Sequence, residues 1–162
     1  MHPEIIYLDV SCLNRPFDDQ GQPRIRLESE AIALILERID NKQLLQVSSD
    51  IADLEIKATA DGNRRSRVRA LLPRPENIGR LKPSTFGRAR TLVKLGFKAA
   101  DALHLAAAEE WKASAFLTCD DRLLKLARRC RTQLQVVVVN PLDWIEDHPD
   151  VTYPRPDSTP GT

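Results

Sequence analysis

The sequence predicts a single α/β domain in which a parallel sheet carries helices on both faces. Three observations lead there. Short apolar runs alternate with helical patterns along the chain. The 162 residues suffice for one domain with a substantial core. The run Gln135-Val136-Val137-Val138-Val139 is almost wholly β-branched, which suits a strand covered on both faces.

The elements follow in order. Strand one is expected over 4–9, from the apolar run Ile5-Ile6-Tyr7-Leu8. A polar, turn-rich loop is expected over 14–23, then a helix over 27–40 with Ile32, Ile35, Leu36 and Ile39 on one stripe. Strand two covers 44–48, and Ser48, Ser49 or Asp50 can cap the helix that carries Glu55. A short arginine-rich helix over 63–72 ends at Pro73 and Pro75. Ile78-Gly79-Arg80-Leu81 reads as a short edge strand. Pro83-Ser84 opens a helix over 85–95 that Gly96 stops. A helix over 99–112, a strand over 115–119 and a helix over 121–130 precede the valine-rich strand. Asn140-Pro141 ends that strand, and Leu142-Asp143-Trp144-Ile145 makes a last helical turn. The domain is expected to span 1–148. The proline-rich segment 149–162 reads as a disordered tail.

Composition narrows the class. No apolar stretch approaches the roughly 20 residues of a membrane span. The opening Met1-His2-Pro3-Glu4 has no basic region followed by an apolar segment, so a cytoplasmic protein without a secretory signal is expected. Three cysteines, Cys12, Cys119 and Cys130, show no CxxC spacing and point to a reducing compartment. They read as small buried thiols. The 6 glycines form no phosphate-binding loop. Ser11 and Cys12 lack a recognisable base, which argues against a covalent hydrolase. Net charge is +1, yet residues 62–100 hold 11 bases against one acid, while both flanks are acidic. A basic block beside acidic ends suits a protein that holds a polyanion with one surface and metal with another. Alone, the block reads equally as a solvated helix face.

Four acids carry the chemistry. Asp9 and Asp120 each close an apolar run, Glu55 lies one to two turns into a helix after strand two, and Asp101 stands in the first turn of its helix. In an open α/β sheet, ligands bind beyond the carboxyl ends of the strands. Four carboxylates gathered there repel one another, and a hard divalent cation relieves that repulsion. Magnesium or manganese held this way activates water for attack on phosphodiesters. Each acid also has a plain structural role available. Asp9 can bind backbone amides, Asp101 and Asp120 can favour helix N-termini, and Glu55 can sit on a surface. His104, three residues from Asp101, can join a metal site or, as the plainer reading, pack or bond on its helix flank, and Asp53 faces away from Glu55.

At these residues the chain resembles the PIN-domain nucleases. Ile6-Tyr7-Leu8-Asp9 with Ser11 and Leu13 resembles the family's opening, and Leu54-Glu55 its second acidic position. The segment Ala99-Ala100-Asp101-Ala102-Leu103-His104-Leu105-Ala106-Ala107-Ala108 is similar to the third motif, and Leu117-Thr118-Cys119-Asp120 to the fourth. Asn140-Pro141 resembles the family's end, so the likeness covers about 4–146. Val10 departs from it, standing where the family often has Thr, and the 14–23 loop is longer than usual. That loop is expected to contact RNA, to shield the pocket, or to be a plain surface turn.

The resemblance implies a three-layer domain with five parallel strands in the order 3-2-1-4-5, and a ribonuclease dependent on Mg²⁺ or Mn²⁺. Asp9, Asp101 and Asp120 would be metal ligands, with Glu55 a ligand directly or through water. Ser11 would orient Asp9, and Asp121 would lend a nearby carboxylate or belong to the first turn of its helix. Hydrolysis would leave a 5′-phosphate and a 3′-hydroxyl. Arg64, Arg65, Arg67, Arg122 and Lys125 are the candidates for holding RNA. Many bacterial members are toxins held by a small antitoxin, so the expected partners are RNA, such a protein and a second copy of the chain. The alternative is a catalytically weak module of the same fold that binds RNA or a protein partner.

Overall fold

The computed structural model describes residues 2–149. The expected tail over 149–162 therefore lies, beyond Pro149, outside the described residues. No described helix is long and apolar enough to cross a membrane.

Five strands form one all-parallel sheet in the order β3-β2-β1-β4-β5. They are β1 (Glu4–Leu8), β2 (Leu44–Ser49), β3 (Ile78–Gly79), β4 (Ala115–Leu117) and β5 (Val137–Val139). The helices between them are α1 (Val10–Asn14), α2 (Pro23–Asp40), α3 (Asp50–Lys57), α4 (Gly62–Arg69), α5 (Pro83–Lys94), α6 (Ala99–Glu110), α7 (Asp121–Arg129) and α8 (Pro141–Asp147). Strand order reverses at β1, which pairs with β2 on one side and β4 on the other, with Tyr7 opposite both Val47 and Phe116.

Alternation along the strands builds two cores. Successive side chains point to opposite faces, so Tyr7, Val47 and Phe116 pack with Leu92 of α5 and Leu105 of α6. Ile6, Leu8, Ala115 and Leu117 pack on the other face with Ile32 and Ile35 of α2, Ile56 of α3 and Trp144 of α8. Gly96 follows α5 at φ +114°, a left-handed turn that favours glycine and sends the chain into α6.

Two expectations need correction. The 14–23 segment is not one open loop. The chain already winds into α1 at Val10, passes through a 3-10 turn over Arg15–Phe17, and starts α2 at Pro23. Pro23 sits at the first helical position, where its fixed φ suits the turn and its missing N–H costs nothing. The valine-rich strand is not covered on both faces. It is the last strand in the sheet, and Val137 is 64% exposed. β-branched residues favour the extended backbone as well as burial, so composition alone does not locate a strand within its sheet.

One buried polar contact fastens the end of the chain to its beginning. Glu28 of α2 is fully buried and accepts from Asn140 Nδ2 at 2.6 Å. Arg15 Nε stands 3.2 Å from its other oxygen. Asn140 in turn caps α8, its Oδ1 accepting from the Leu142 amide at 2.8 Å.

Phe116 is fully buried on β4 and stacks on Tyr7 with ring centroids 5.2 Å apart. Phe116→Ala should therefore destabilise the fold by about 3–5 kcal/mol, read as a lower urea midpoint at unchanged slope. Val137→Thr at the exposed edge should stay within about 0.5 kcal/mol in the same measurement.

Candidate functional site

Strand order reverses at β1, between β2 and β4, and in open α/β sheets ligands bind in a crevice beyond the carboxyl ends of the strands at such a point. Asp9 and Asp120 lie just past β1 and β4, and Glu55 and Asp101 lie on α3 and α6. Asp9 follows β1 directly and continues the ladder, its amide donating to Leu117 O at 2.9 Å. Its side chain is buried, and Oδ2 accepts from Ser11 Oγ at 2.8 Å and from Thr118 Oγ1 at 2.7 Å. The same two hydroxyls accept in return. Ser11 Oγ takes the Cys119 amide at 3.1 Å, and Thr118 Oγ1 takes the Asp120 amide at 3.1 Å. Two hydroxyls thus clamp the ends of neighbouring strands around one carboxylate. The sequence pointed to Ser11 but not to Thr118, although a hydroxyl two residues before a candidate acid is a legible signal.

Asp120 is the N-cap of α7, with Oδ1 accepting from the Arg122 amide at 2.9 Å and the Leu123 amide at 3.3 Å. A cap uses one carboxylate oxygen and leaves the other available, so capping and rim position coexist in this residue. Asp101 lies in the first turn of α6, half-buried. Burial first, then the negative charges of Asp9 and Asp120, with a smaller push from Glu55, raise its carboxyl to about 6, against a partial pull from His104. Glu55, on α3, accepts from His104 Nε2 at 2.9 Å.

His104 is 1% exposed and does not point into the crevice as a free ligand. Its Nδ1 lies 2.6 Å from Tyr7 Oη, and Tyr7 Oη lies 2.7 Å from Ser49 Oγ. Burial lowers the imidazole pKa, but the Glu55 hydrogen bond and the charges of Asp9, Glu55 and Asp101 outweigh it, and the net shift is upward. Ser49 occupies the N-cap position of α3 yet makes no side-chain cap, because its hydroxyl serves Tyr7 instead. This chain of three side chains was not foreseen: its members are far apart in sequence, and nothing local marks them as partners.

Among the described residues, no three His, Cys, Asp or Glu side chains form a ready-made metal-ligand set. Asp101 feels the charges of Asp9, Asp120 and Glu55, and the four do not close into a cage. The donor set itself suits a hard cation, since every candidate is a carboxylate oxygen. Asp9 Oδ1, Asp120 Oδ2 and Glu55 Oε2 accept no hydrogen bond among the described residues, so each anchored acid keeps one oxygen to offer.

Other candidates fall elsewhere. Asp121 does not support the cluster. It is exposed and bound at both oxygens by Arg24, at 2.6 and 2.8 Å, which holds its carboxyl below the usual range. Arg64 is engaged inside the protein, donating to Asp18 Oδ1 at 2.9 Å and Asn14 Oδ1 at 3.3 Å. It braces the segment after α1. Arg65 donates to Thr59 O at 2.8 Å, and Arg69 to Asp53 at 2.9 Å. Of the proposed arginines in this block only Arg67 stays exposed without such a contact among the described residues. The acidic residues that flank the block in sequence also meet it in space, which is why charge counting overstated its freedom.

Arg122 and Lys125 stand differently. Together with Lys98 and Arg129 they line a cavity of about 520 Å³ whose wall also holds Asp101 and Asp120. Lys98 and Arg129 were not singled out in the sequence: Lys98 lies before α6, on a different element from Arg122 and Lys125, and Arg129 ends α7, two turns beyond Arg122. Beneath the crevice, Cys12 and Cys119 are free, buried thiols with sulfurs 3.8 Å apart, and burial pushes Cys12 up.

A raised carboxyl binds its proton in the folded protein before the unfolded chain does, so Asp101 favours the fold as pH falls through about 6 and costs stability above it. A carboxyl-carbon NMR titration of the metal-free protein should show an Asp101 midpoint near 6. In Asp9→Asn that midpoint should fall, because one of the charges that raises it is gone. An unchanged midpoint would mean that Asp9 and Asp101 do not share the crevice.

No family model and no curated protein matches the chain.

Proposed function

We propose that this chain is a ribonuclease of PIN-domain type, dependent on Mg²⁺ or Mn²⁺. One observation carries the reading: Asp101, raised to about 6 first by its burial, also feels the negative charges of Asp9, Asp120 and Glu55, acids from three other segments at the carboxyl rim of the sheet. A protein gains no stability from crowding like charges, so their gathering calls for a cation. Asp9, Asp101, Asp120 and Glu55 would hold it. Such a cation, when bound, supplies Lewis acidity that activates water and neutralises charge building on the phosphate.

The chain's own residues do the rest. The Ser11–Thr118 clamp fixes Asp9, and the α7 amides fix Asp120, so two carboxylates are oriented before any ligand arrives. Lys98, Arg122, Lys125 and Arg129 line the cavity that leads away from Asp101 and Asp120, where they can hold the RNA backbone while one phosphodiester lies at the acids. The substrate surface proposed here is this α7 side of the crevice, not the arginine block around α4.

The alternative of a catalytically weak module that binds RNA or a protein has one observation in its favour, the lack of a pre-closed ligand set among the described residues. Asp9→Asn combined with Asp101→Asn separates the two. The double variant should stay folded by circular dichroism and lose Mn²⁺-dependent cleavage of mixed RNAs by more than the roughly 10–100-fold that an outer-shell loss costs. Wild-type protein that leaves every RNA intact in Mg²⁺ and Mn²⁺ would decide for the binding module.

The cations give a second test. Arg122→Ala with Lys125→Ala should weaken single-stranded RNA binding and reduce the log–log salt slope by about 1.4, roughly 0.7 per phosphate contact. Arg64→Ala should leave that slope unchanged and lower stability by less than about 1 kcal/mol, since its partners are protein groups near the surface.

A further inference from the structure

Glu55 is held differently from the other acids. Asp9 accepts two hydroxyl bonds, and Asp120 accepts two backbone amides. Glu55 stands on the short helix α3, its side chain is 33% exposed, and it turns about three side-chain bonds. Left to itself, such a glutamate spreads over many rotamers. Its one hydrogen bond among the described residues comes from His104 Nε2.

That bond has a fixed direction. An ionised carboxylate can only accept, so Nε2 carries a hydrogen whether the ring is neutral or charged. In the neutral ring Nδ1 accepts from the Tyr7 hydroxyl, whose oxygen accepts from Ser49 Oγ. Every donor then points along the chain toward Glu55. Tyr7 is fully buried and clamped by its stack on Phe116, so the imidazole it holds has little freedom. A buried polar chain of this kind is costly unless each member is satisfied, and here both ring nitrogens are. An apolar residue would fill the same space without that demand.

We propose that His104 is a positioning residue for Glu55: the buried Ser49–Tyr7–His104 chain fixes Oε1 and thereby presents Oε2 to the divalent cation. The proposal rests on the metal-dependent reading of the site. It also explains why α6 carries both Asp101 and, three residues on, the group that orients the acid of α3. One helix then sets two of the four carboxylates.

The test titrates the whole chain with Mn²⁺ alone by calorimetry and melts it without metal. His104→Leu removes the donor and should weaken Mn²⁺ binding about 10–100-fold, the usual cost of losing an outer-shell partner. His104→Gln keeps an N–H for Glu55 and should recover most of that affinity. In a Glu55→Gln background, His104→Leu should cost no further affinity, because the two act through one contact. A folded His104→Leu protein with wild-type Mn²⁺ affinity overturns the proposal, as does an equal loss in the Glu55→Gln background. Tyr7→Phe keeps the ring stack and removes only the hydroxyl, so it decides the matter if His104→Leu does not fold. Reduced affinity supports the chain, and unchanged affinity overturns it. Wild-type protein that binds no Mn²⁺ overturns the metal reading itself, and does so before any variant is compared.

Discussion

Burying carboxylates at one rim of the sheet is the constraint on which this site depends. Nothing about a parallel sheet requires acids there, and burial, joined by the charges of Asp9, Asp120 and Glu55, raises half-buried Asp101 to about 6. The surrounding structure ties down each anchored acid through one oxygen only. Hydroxyls hold Asp9, backbone amides hold Asp120, and an imidazole holds Glu55. Three chemically different restraints with the same outcome leave one carboxylate oxygen uncommitted in each case. Asp101 lacks such a restraint among the described residues, and burial first, then its charged neighbours, raise its carboxyl.

The cations divide into two groups with separate tasks. Three of the four on α4 are spent on architecture: Arg64 braces the chain after α1, Arg65 closes the turn before its own helix, and Arg69 reaches Asp53 on α3. Those of α7 face the cavity beside Asp101 and Asp120. For the RNA substrate proposed above, this positive charge would offset the repulsion between a polyanion and the acids. Among the described residues, none of these cations is paired directly to Asp101 or Asp120.

Much of this was legible in the sequence, for identifiable reasons. Strand ends were readable because apolar runs stop where an acid or a proline intervenes, which placed Asp9 and Asp120 correctly beyond β1 and β4. Asp101 was readable because a first-turn acid before an alanine-rich run is a helix start. What escaped was long-range. Arg24 meets Asp121 across 97 residues, and Tyr7 meets His104 across the same separation. Such pairs follow from which elements become neighbours, and no window of local sequence contains them. The α1 helix escaped for the opposite reason: its five residues are too few to show a period. The edge position of β5 escaped because three consecutive valines report backbone preference more strongly than cover.

The contact between Glu28 and Asn140 has a consequence for how the chain matures. Glu28 is made early and Asn140 late, and until the later residue arrives the earlier one has no amide to meet inside the core. Arg15 and Arg24, both made before Glu28, already stand 3.2 and 3.7 Å from one of its oxygens, so the late amide serves the other oxygen. A carboxylate oxygen left unmet in an apolar interior is costly. The cap of the last helix thus completes the pairing of an acid buried in the amino-terminal half, and joins the two ends of the fold through one polar contact.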